Sequence, residues 1–203
     1  MNPRNWTLNY LFARVRLAWY ERQNPEAPWL TAESIAFLDS WLTEQDTVLE
    51  FGSGRSTVWL AKRCRFIHSV EHDEGWFQLT SKKLSSFENV DYRHAPLESP
   101  SAKDSNYLRV LDEIEDNSCD LLLNDGKLRA SVALKAISRI RPGGLHVLDN
   151  AERYLPSDMN LPASRKPTEP TDDWAQFISA TANWRRWWTS NGVTSTLLMF
   201  KPC

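Results

Sequence analysis

Short apolar runs of strand length recur along the chain: "TVLEF" at 47–51, "FIHSV" at 66–70, "VDYRH" at 90–94, "CDLLL" at 119–123 and "LHVL" at 145–148. Between them lie stretches with helical spacing of apolar residues, "STVWLAKRC", "DEGWFQLTSKKLSSF", "YLRVLDEIE" and "ASVALKAISRI", the last ended by Pro142, Gly143 and Gly144. Strands alternating with helices predict an α/β fold, a mostly parallel sheet covered on both faces. An earlier helix, "TAESIAFLDSWL", has Thr31 available as N-cap and Glu33 favourably placed in its first turn. The C-terminal stretch breaks the alternation. There "WRRWWTS" and "VTSTLLMF" meet at Asn191-Gly192, a pair suited to a two-residue hairpin turn, so an antiparallel pair should finish the sheet. "YLPSDMNLPASRKPTEPTDD" carries four prolines and reads as a long irregular loop.

Near the start, Leu8, Leu11, Phe12, Val15 and Trp19 recur at helical spacing, predicting an amphipathic helix over 6–22 with one apolar stripe. Core packing is the plain expectation for that stripe; a substrate lid, a dimer contact and a membrane-surface helix are the alternatives. Residues 1–30 read as a helical extension and 31–203 as a single α/β domain. Arg14 and Arg16 interrupt the most apolar part of the start, so no signal-peptide run is present, and no segment has transmembrane length.

Composition narrows the function classes. The 203 residues carry 24 basic and 26 acidic side chains in mixture, so there is no broad cationic field and bulk nucleic-acid binding is disfavoured. The cysteines, Cys64, Cys119 and Cys203, are few and far apart, without metal-ligand spacing, which fits a reducing cytoplasm. Ten tryptophans leave room for an aromatic interface, and a homodimer stays open.

"VLEFGSGRST" at 48–57 runs a strand into two closely spaced glycines. In open α/β sheets a ligand binds where a strand's carboxyl end turns into a helix, and Gly52 and Gly54 occupy that turn. Glu71, ending the next strand, can accept hydrogen bonds from a ribose. A glycine turn followed by an acid also suits dinucleotides. Two features argue against NAD: Thr57 stands where a third glycine would be, and the acidic Glu50 suits a cationic ligand better than a pyrophosphate.

These residues resemble the class I S-adenosylmethionine-dependent methyltransferases, with "VLEFGSG" as cofactor loop and "SVEH" as ribose-binding strand end. The resemblance implies a Rossmann-like fold, seven-stranded and mostly parallel with an antiparallel C-terminal hairpin. It implies S-adenosylmethionine as cofactor, with Glu50, Gly52 and Gly54 around the methionine half, Ser53 and Ser56 of the same loop beside it, Glu71 on the ribose and His72 beside the adenine. "RHAPLE", after the third strand, lacks the acid that many relatives present to the adenine amino group.

The acceptor side lies in "DLLLNDGKLRASVALKAISRIRPGGLHVLDNAERY". Asp125 follows the fourth strand, and Asp149 and Asn150 follow the fifth. The order looks like that of the catechol and caffeoyl-coenzyme A O-methyltransferases, which implies a Mg²⁺ held by Asp125, Asp149 and Asn150, oxygen donors suited to that ion. The plainer reading has the two aspartates accepting amide hydrogen bonds in strand-to-helix turns. A phenolic hydroxyl has a pKa of about 10, so its oxyanion costs roughly 4 kcal/mol at neutral pH, which a metal or a base could supply. Lys127 is the nearest candidate base, with Asp125 beside it; His72, His94 and His146 are weaker candidates. Arg129 is open to pairing with a cleft carboxylate, Trp59 and Trp76 to packing on the sheet, and Trp174 to contacting substrate.

The leading expectation is therefore methyl transfer from S-adenosylmethionine to an oxygen of a small-molecule acceptor. Alternatives keep the cofactor without the metal, acting on a sugar, carboxylate or nitrogen, or keep the fold as a non-catalytic nucleoside-binding module; an NAD-dependent oxidoreductase is weaker still. "LNDG" stands where adenine N-methyltransferases carry D/N-P-P-Y/F, which argues against DNA adenine as the acceptor.

Overall fold

The computed structural model describes residues 7–97, 105–159, 161–164 and 172–203. Helix α1 spans Leu8–Gln23 and α2 Ala32–Trp41; then follow β1 (Thr47–Phe51), α3 (Arg55–Ala61), β2 (Phe66–Glu71), α4 (Glu74–Leu84) and β3 (Val90–His94). The second half holds α5 (Asn106–Arg109), β4 (Cys119–Asn124), α6 (Arg129–Lys135), β5 (Ile140–Asp149), α7 (Asp172–Ala180), β6 (Arg185–Ser190) and β7 (Ser195–Phe200). The strands form one seven-stranded sheet in the order β3-β2-β1-β4-β5-β7-β6, with β7 antiparallel to both neighbours and the other pairings parallel.

The central strands are apolar on both sides because both sides are covered. Val48, Ile67, Leu121, Leu123, Val147 and Leu198 pack with α2 and α3, whereas Leu49, Phe51, Leu122, Leu148 and Met199 pack with α5, α6 and α7. Cys119 is core, as its strand position implies. The chain order reverses between β1 and β4, so the carboxyl ends of those strands flank the crevice where such folds bind ligands.

Several local expectations change. β5 begins at Ile140 and runs through Pro142-Gly143-Gly144, because Ile140 pairs with Cys119 before a register shift accommodates the exposed turn. The hairpin loop has four residues, since Ser190 and Ser195 are the last pair; Asn191 Oδ1 accepts from the amides of Val193 and Thr194 at 2.9 and 3.0 Å and closes it. Helix α7 emerges where the sequence reading left irregular chain: Asp172 and Asp173 sit in its first turn, and Trp174 and Phe177, one turn apart, are buried. Trp174 is thus core, against Tyr154 and Phe177, and is removed from the substrate candidates. Thr31 precedes α2, but its hydroxyl bonds Ser34 at 2.7 Å instead of capping the helix.

The expected core packing of the first apolar stripe is corrected. Tyr10, Ala13, Leu17 and Tyr20 form the half-buried seam of α1. Ala13 lies against the hairpin turn, where a Cβ on Gly192 would come within 2.8 Å of it. Leu8, Leu11, Phe12, Val15 and Trp19 lie half a helical turn away, facing outward, Leu8 at 74% and Trp19 at 65% exposure. No described helix is long and apolar enough to cross a membrane.

Candidate active site

The turn leaving β1 is held by backbone contact. Gly52 has φ 93°, and a Cβ there would sit 2.6 Å from both N and Cα of Gly126, in the turn after β4. Gly126 is itself confined, since a Cβ on it would lie 2.0 Å from the Tyr107 hydroxyl. The glycine expected to admit a ligand at Gly52 thus admits the neighbouring turn; at Gly54, with φ 156°, the open side meets the Trp76 indole at 3.3 Å.

Glu71, 3% exposed, is aimed at this turn. Its Oε2 accepts from the Ser53 amide (3.0 Å) and hydroxyl (2.9 Å), and its Oε1 from the amides of His72 (2.8 Å) and Asp73 (2.9 Å). Four donors fill the carboxylate's acceptor positions, so the end of β2 and the glycine turn are tied by one side chain. Tyr92 bonds the Ser53 hydroxyl at 2.6 Å, and Trp76 donates its indole N–H to the Ser53 carbonyl. Trp29 stacks on Trp76 with ring centroids 6.1 Å apart, beneath the Arg55 guanidinium. His72 lies beside Glu71, its Nδ1 2.8 Å from Oε1.

Glu50 is wholly buried below the turn. Its Oε2 accepts from the hydroxyls of Thr57 and Ser69, each at 2.6 Å, while Oε1 has no hydrogen-bond partner among the described residues. Burial pushes the carboxyl up to about 7, against the hydroxyls of Ser56, Ser69 and Thr57, which favour the ionised form. Thr57 also accepts from the Gly54 amide at 2.9 Å, so the residue that displaces the third glycine of a dinucleotide motif pins the loop to Glu50. Sequence reasoning had used Thr57 only to exclude NAD; its place three residues after Gly54 was the available signal.

A cleft of about 560 Å³ opens between these residues and the β4 turn, with Trp29, Ser53, Glu71, His72, Asp125 and Lys127 in its wall. Glu50 and Ser56 are not in that wall. Another cavity, about 550 Å³, lies at the opposite, amino ends of β1 and β2 beside Thr47 and Arg65, away from the glycine turn.

The proposed metal ligands do not form a metal site. Arg129, four residues past Asp125, folds back and places its guanidinium among their oxygens. It donates to the Asp125 carboxylate (2.5 Å) and carbonyl (2.7 Å), to the Gly126 carbonyl (3.0 Å) and to the Asp149 carbonyl. Asp149, 2% exposed, accepts from Thr196 (3.0 Å) and from the Asn150 amide nitrogen (2.6 Å), so Asn150 turns its donor toward Asp149. Among the described residues, no three His, Cys, Asp or Glu side chains converge as metal ligands. Mg²⁺ is therefore not supported: the cation in this constellation is an arginine, bound to the Asp125 carboxylate and to the carbonyls around it. Burial raises the pKa of Asp149 well above its ordinary value, reinforced by Asp125; burial also raises Asp125, while Arg129 opposes it.

Lys127 is exposed at the cleft, its amide 3.3 Å from the Tyr107 hydroxyl. His146 is buried against Phe177, where burial depresses it to about 3 and keeps it neutral; His94 stacks on Phe77. Neither is in the cleft wall. Trp59 is core, whereas Trp76 borders the cleft. The sequence reading also missed Glu152, whose wholly buried carboxylate accepts from the Ser195 amide (3.0 Å) and hydroxyl (2.7 Å), fastening the segment after β5 to β7.

Strand order, the glycine turn at the reversal point and the acid closing β2 define the Rossmann-like fold of the class I methyltransferases, as the motifs implied. Solved structures share it. A methyltransferase from Geobacter sulfurreducens superposes with a TM-score of 0.59 at 13% identity, covering 94% of this chain and 89% of that one. A Staphylococcus aureus protein provisionally described as a caffeoyl-CoA O-methyltransferase gives 0.59 at 13% identity, covering 93% and 91%. In sequence, the chain is 28% identical over 118 residues to a Methanocaldococcus jannaschii protein described as a "probable cobalt-precorrin-6B C(15)-methyltransferase (decarboxylating)", a match spanning 56% of this chain and 60% of that protein. No protein-family model matches the chain.

Proposed function

We propose that the protein transfers the methyl group of S-adenosylmethionine to an oxygen of a small molecule, without a metal. The observation that carries this reading is Glu71. A buried carboxylate closes β2, grips the glycine turn through Ser53 and borders a cleft of about 560 Å³ at the sheet's reversal point. The ribose hydroxyls would take over bonds that Ser53 and the adjoining amides now make, and His72 would lie toward the adenine. Glu50 would serve the cationic methionine half from below, through the loop atoms of Gly52, Ser53, Gly54 and Ser56.

For the chemistry, an in-line displacement needs the acceptor oxygen aligned with the sulfonium methyl and stripped of its proton. Asp125 is engaged by Arg129, so the Lys127 ammonium, exposed at the cleft, would stabilise the developing oxyanion while the acceptor's proton leaves to solvent. Calorimetric titration with S-adenosylmethionine and S-adenosylhomocysteine tests the reading; saturable binding is expected, and no binding at millimolar concentration overturns it. A second reading, transfer to carbon, is favoured by the description of the Methanocaldococcus relative as a C(15)-methyltransferase. With ¹³C-methyl cofactor, the product's methyl chemical shift separates the two.

A further inference from the structure

Arg153 borders the cleft and lines more than one cavity. A second cavity of about 460 Å³ lies between α1, residues 162–164 and the hairpin loop, and Arg153 is in the wall of both. Arg14 of α1 enters this second cavity beside Tyr10, Ser164 and Thr194. Among the described residues, the second wall holds Arg14 and Arg153 and no carboxylate, and the acids near them are engaged. Glu71 is saturated by amides and a hydroxyl, Asp125 is paired with Arg129, and Asp73 caps α4 by accepting from the Trp76 amide. Glu152 is buried and bonded to Ser195, with Arg153 Nε 3.6 Å away. Among the described residues, Arg14 and Lys127 have no ion pair, and Arg153 has only that long contact on one edge of its guanidinium, leaving it 53% exposed. Among the described residues, Arg14 and Arg153 thus present two guanidinium groups to one cavity, Arg14 without an ion pair and Arg153 paired on one edge only.

We propose that the methyl acceptor is an anion, a carboxylate or a phosphate monoester, whose acidic group is held between Arg153 and Arg14 while its reacting atom lies back toward Lys127. This rests on the methyl-transfer reading and deepens it. Two guanidinium forks suit the oxygens of either group. The placement also gives α1 a function that its outward apolar stripe does not: its inner side supplies Tyr10 and Arg14 to the pocket wall.

The test is calorimetry on protein saturated with S-adenosylhomocysteine, titrated with inorganic phosphate, with citrate and with neutral sorbitol. Saturable binding of at least one anion but not of sorbitol is expected, and which anion binds identifies the acidic group. Arg153→Gln and Arg14→Gln should each weaken that binding by about fivefold to tenfold. Arg22→Gln, at the far end of α1, should leave it unchanged, and Arg14→Gln, which lies outside the cofactor cleft, should bind S-adenosylhomocysteine as the wild type does. No anion binding, equal binding in the Arg153 and Arg14 variants, or displacement of S-adenosylhomocysteine by the anion overturns the inference alone. Failure of the wild type to bind S-adenosylhomocysteine overturns the methyl-transfer reading and this inference with it.

Discussion

Glu50→Gln replaces a buried acid by its neutral isostere and should make the protein more stable at alkaline pH while weakening its hold on a cation. The folded protein keeps the Glu50 proton to about pH 7, whereas an unfolded glutamate releases it near 4.5. The stability contributed by that retained proton is full below pH 4.5 and is lost as pH rises through about 7. At about 1.4 kcal/mol for each pH unit between those two points, the whole loss is about 3.5 kcal/mol, of which about 2.5 kcal/mol falls between about pH 5 and about pH 8. Glutamine has no proton to lose, so the variant's advantage over wild type should grow by about that amount between about pH 5 and about pH 8, most of it below pH 7. Urea unfolding followed by tryptophan fluorescence, at several pH values in that interval, measures the difference. A cationic cofactor favours ionised Glu50, so wild-type affinity for S-adenosylmethionine should increase with pH toward a plateau above 7, and the variant's should stay flat. A pH-independent stability difference, or a variant less stable than wild type at the alkaline end, refutes the account of Glu50.

Gly126→Ala would drive a methyl group to 2.0 Å from the Tyr107 hydroxyl and should cost about 3 kcal/mol or more, part of it recovered by adding Tyr107→Phe, as thermal unfolding would show. Arg129→Met leaves Asp125 without its cation and three carbonyls without a donor. About 2 kcal/mol should be lost after allowance for the partial exposure of Asp125, and Arg129→Lys should restore little because an ammonium lacks the planar fork. EDTA should change neither the melting temperature nor the affinity for S-adenosylhomocysteine, and a drop in either would revive a metal site. Glu71→Ala should reduce that affinity at least about tenfold by calorimetry, since it frees the glycine turn and removes the ribose acceptor.

The sheet was legible because its central strands are largely apolar runs of strand length, and Asn191-Gly192 marked the hairpin even though its loop is longer than two residues. Glu71 was legible as well, since an acid one strand beyond a glycine turn has one place to go in this topology. Helical spacing at Leu8, Leu11, Phe12, Val15 and Trp19 gave the helix correctly, but periodicity records which residues share a face and is silent on what that face meets. Pro142-Gly143-Gly144 looked like a stop because local chain preferences oppose a strand there, and pairing with β4 overrides them. The metal reading lacks support for a different reason. Asp125, Asp149 and Asn150 have suitable chemistry in suitable order, but only coordinates reveal that Arg129 reaches back among them.

The bare backbone seam between Gly52 and Gly126 joins the two halves of the crevice. With no side chain between the strand-end turns, their backbones are in contact and neither can move toward the other, and Tyr107 stands behind the seam as a stop. Donor and recipient would therefore be gripped by one inflexible keystone, so their mutual aim is built in during folding and does not await a closing motion.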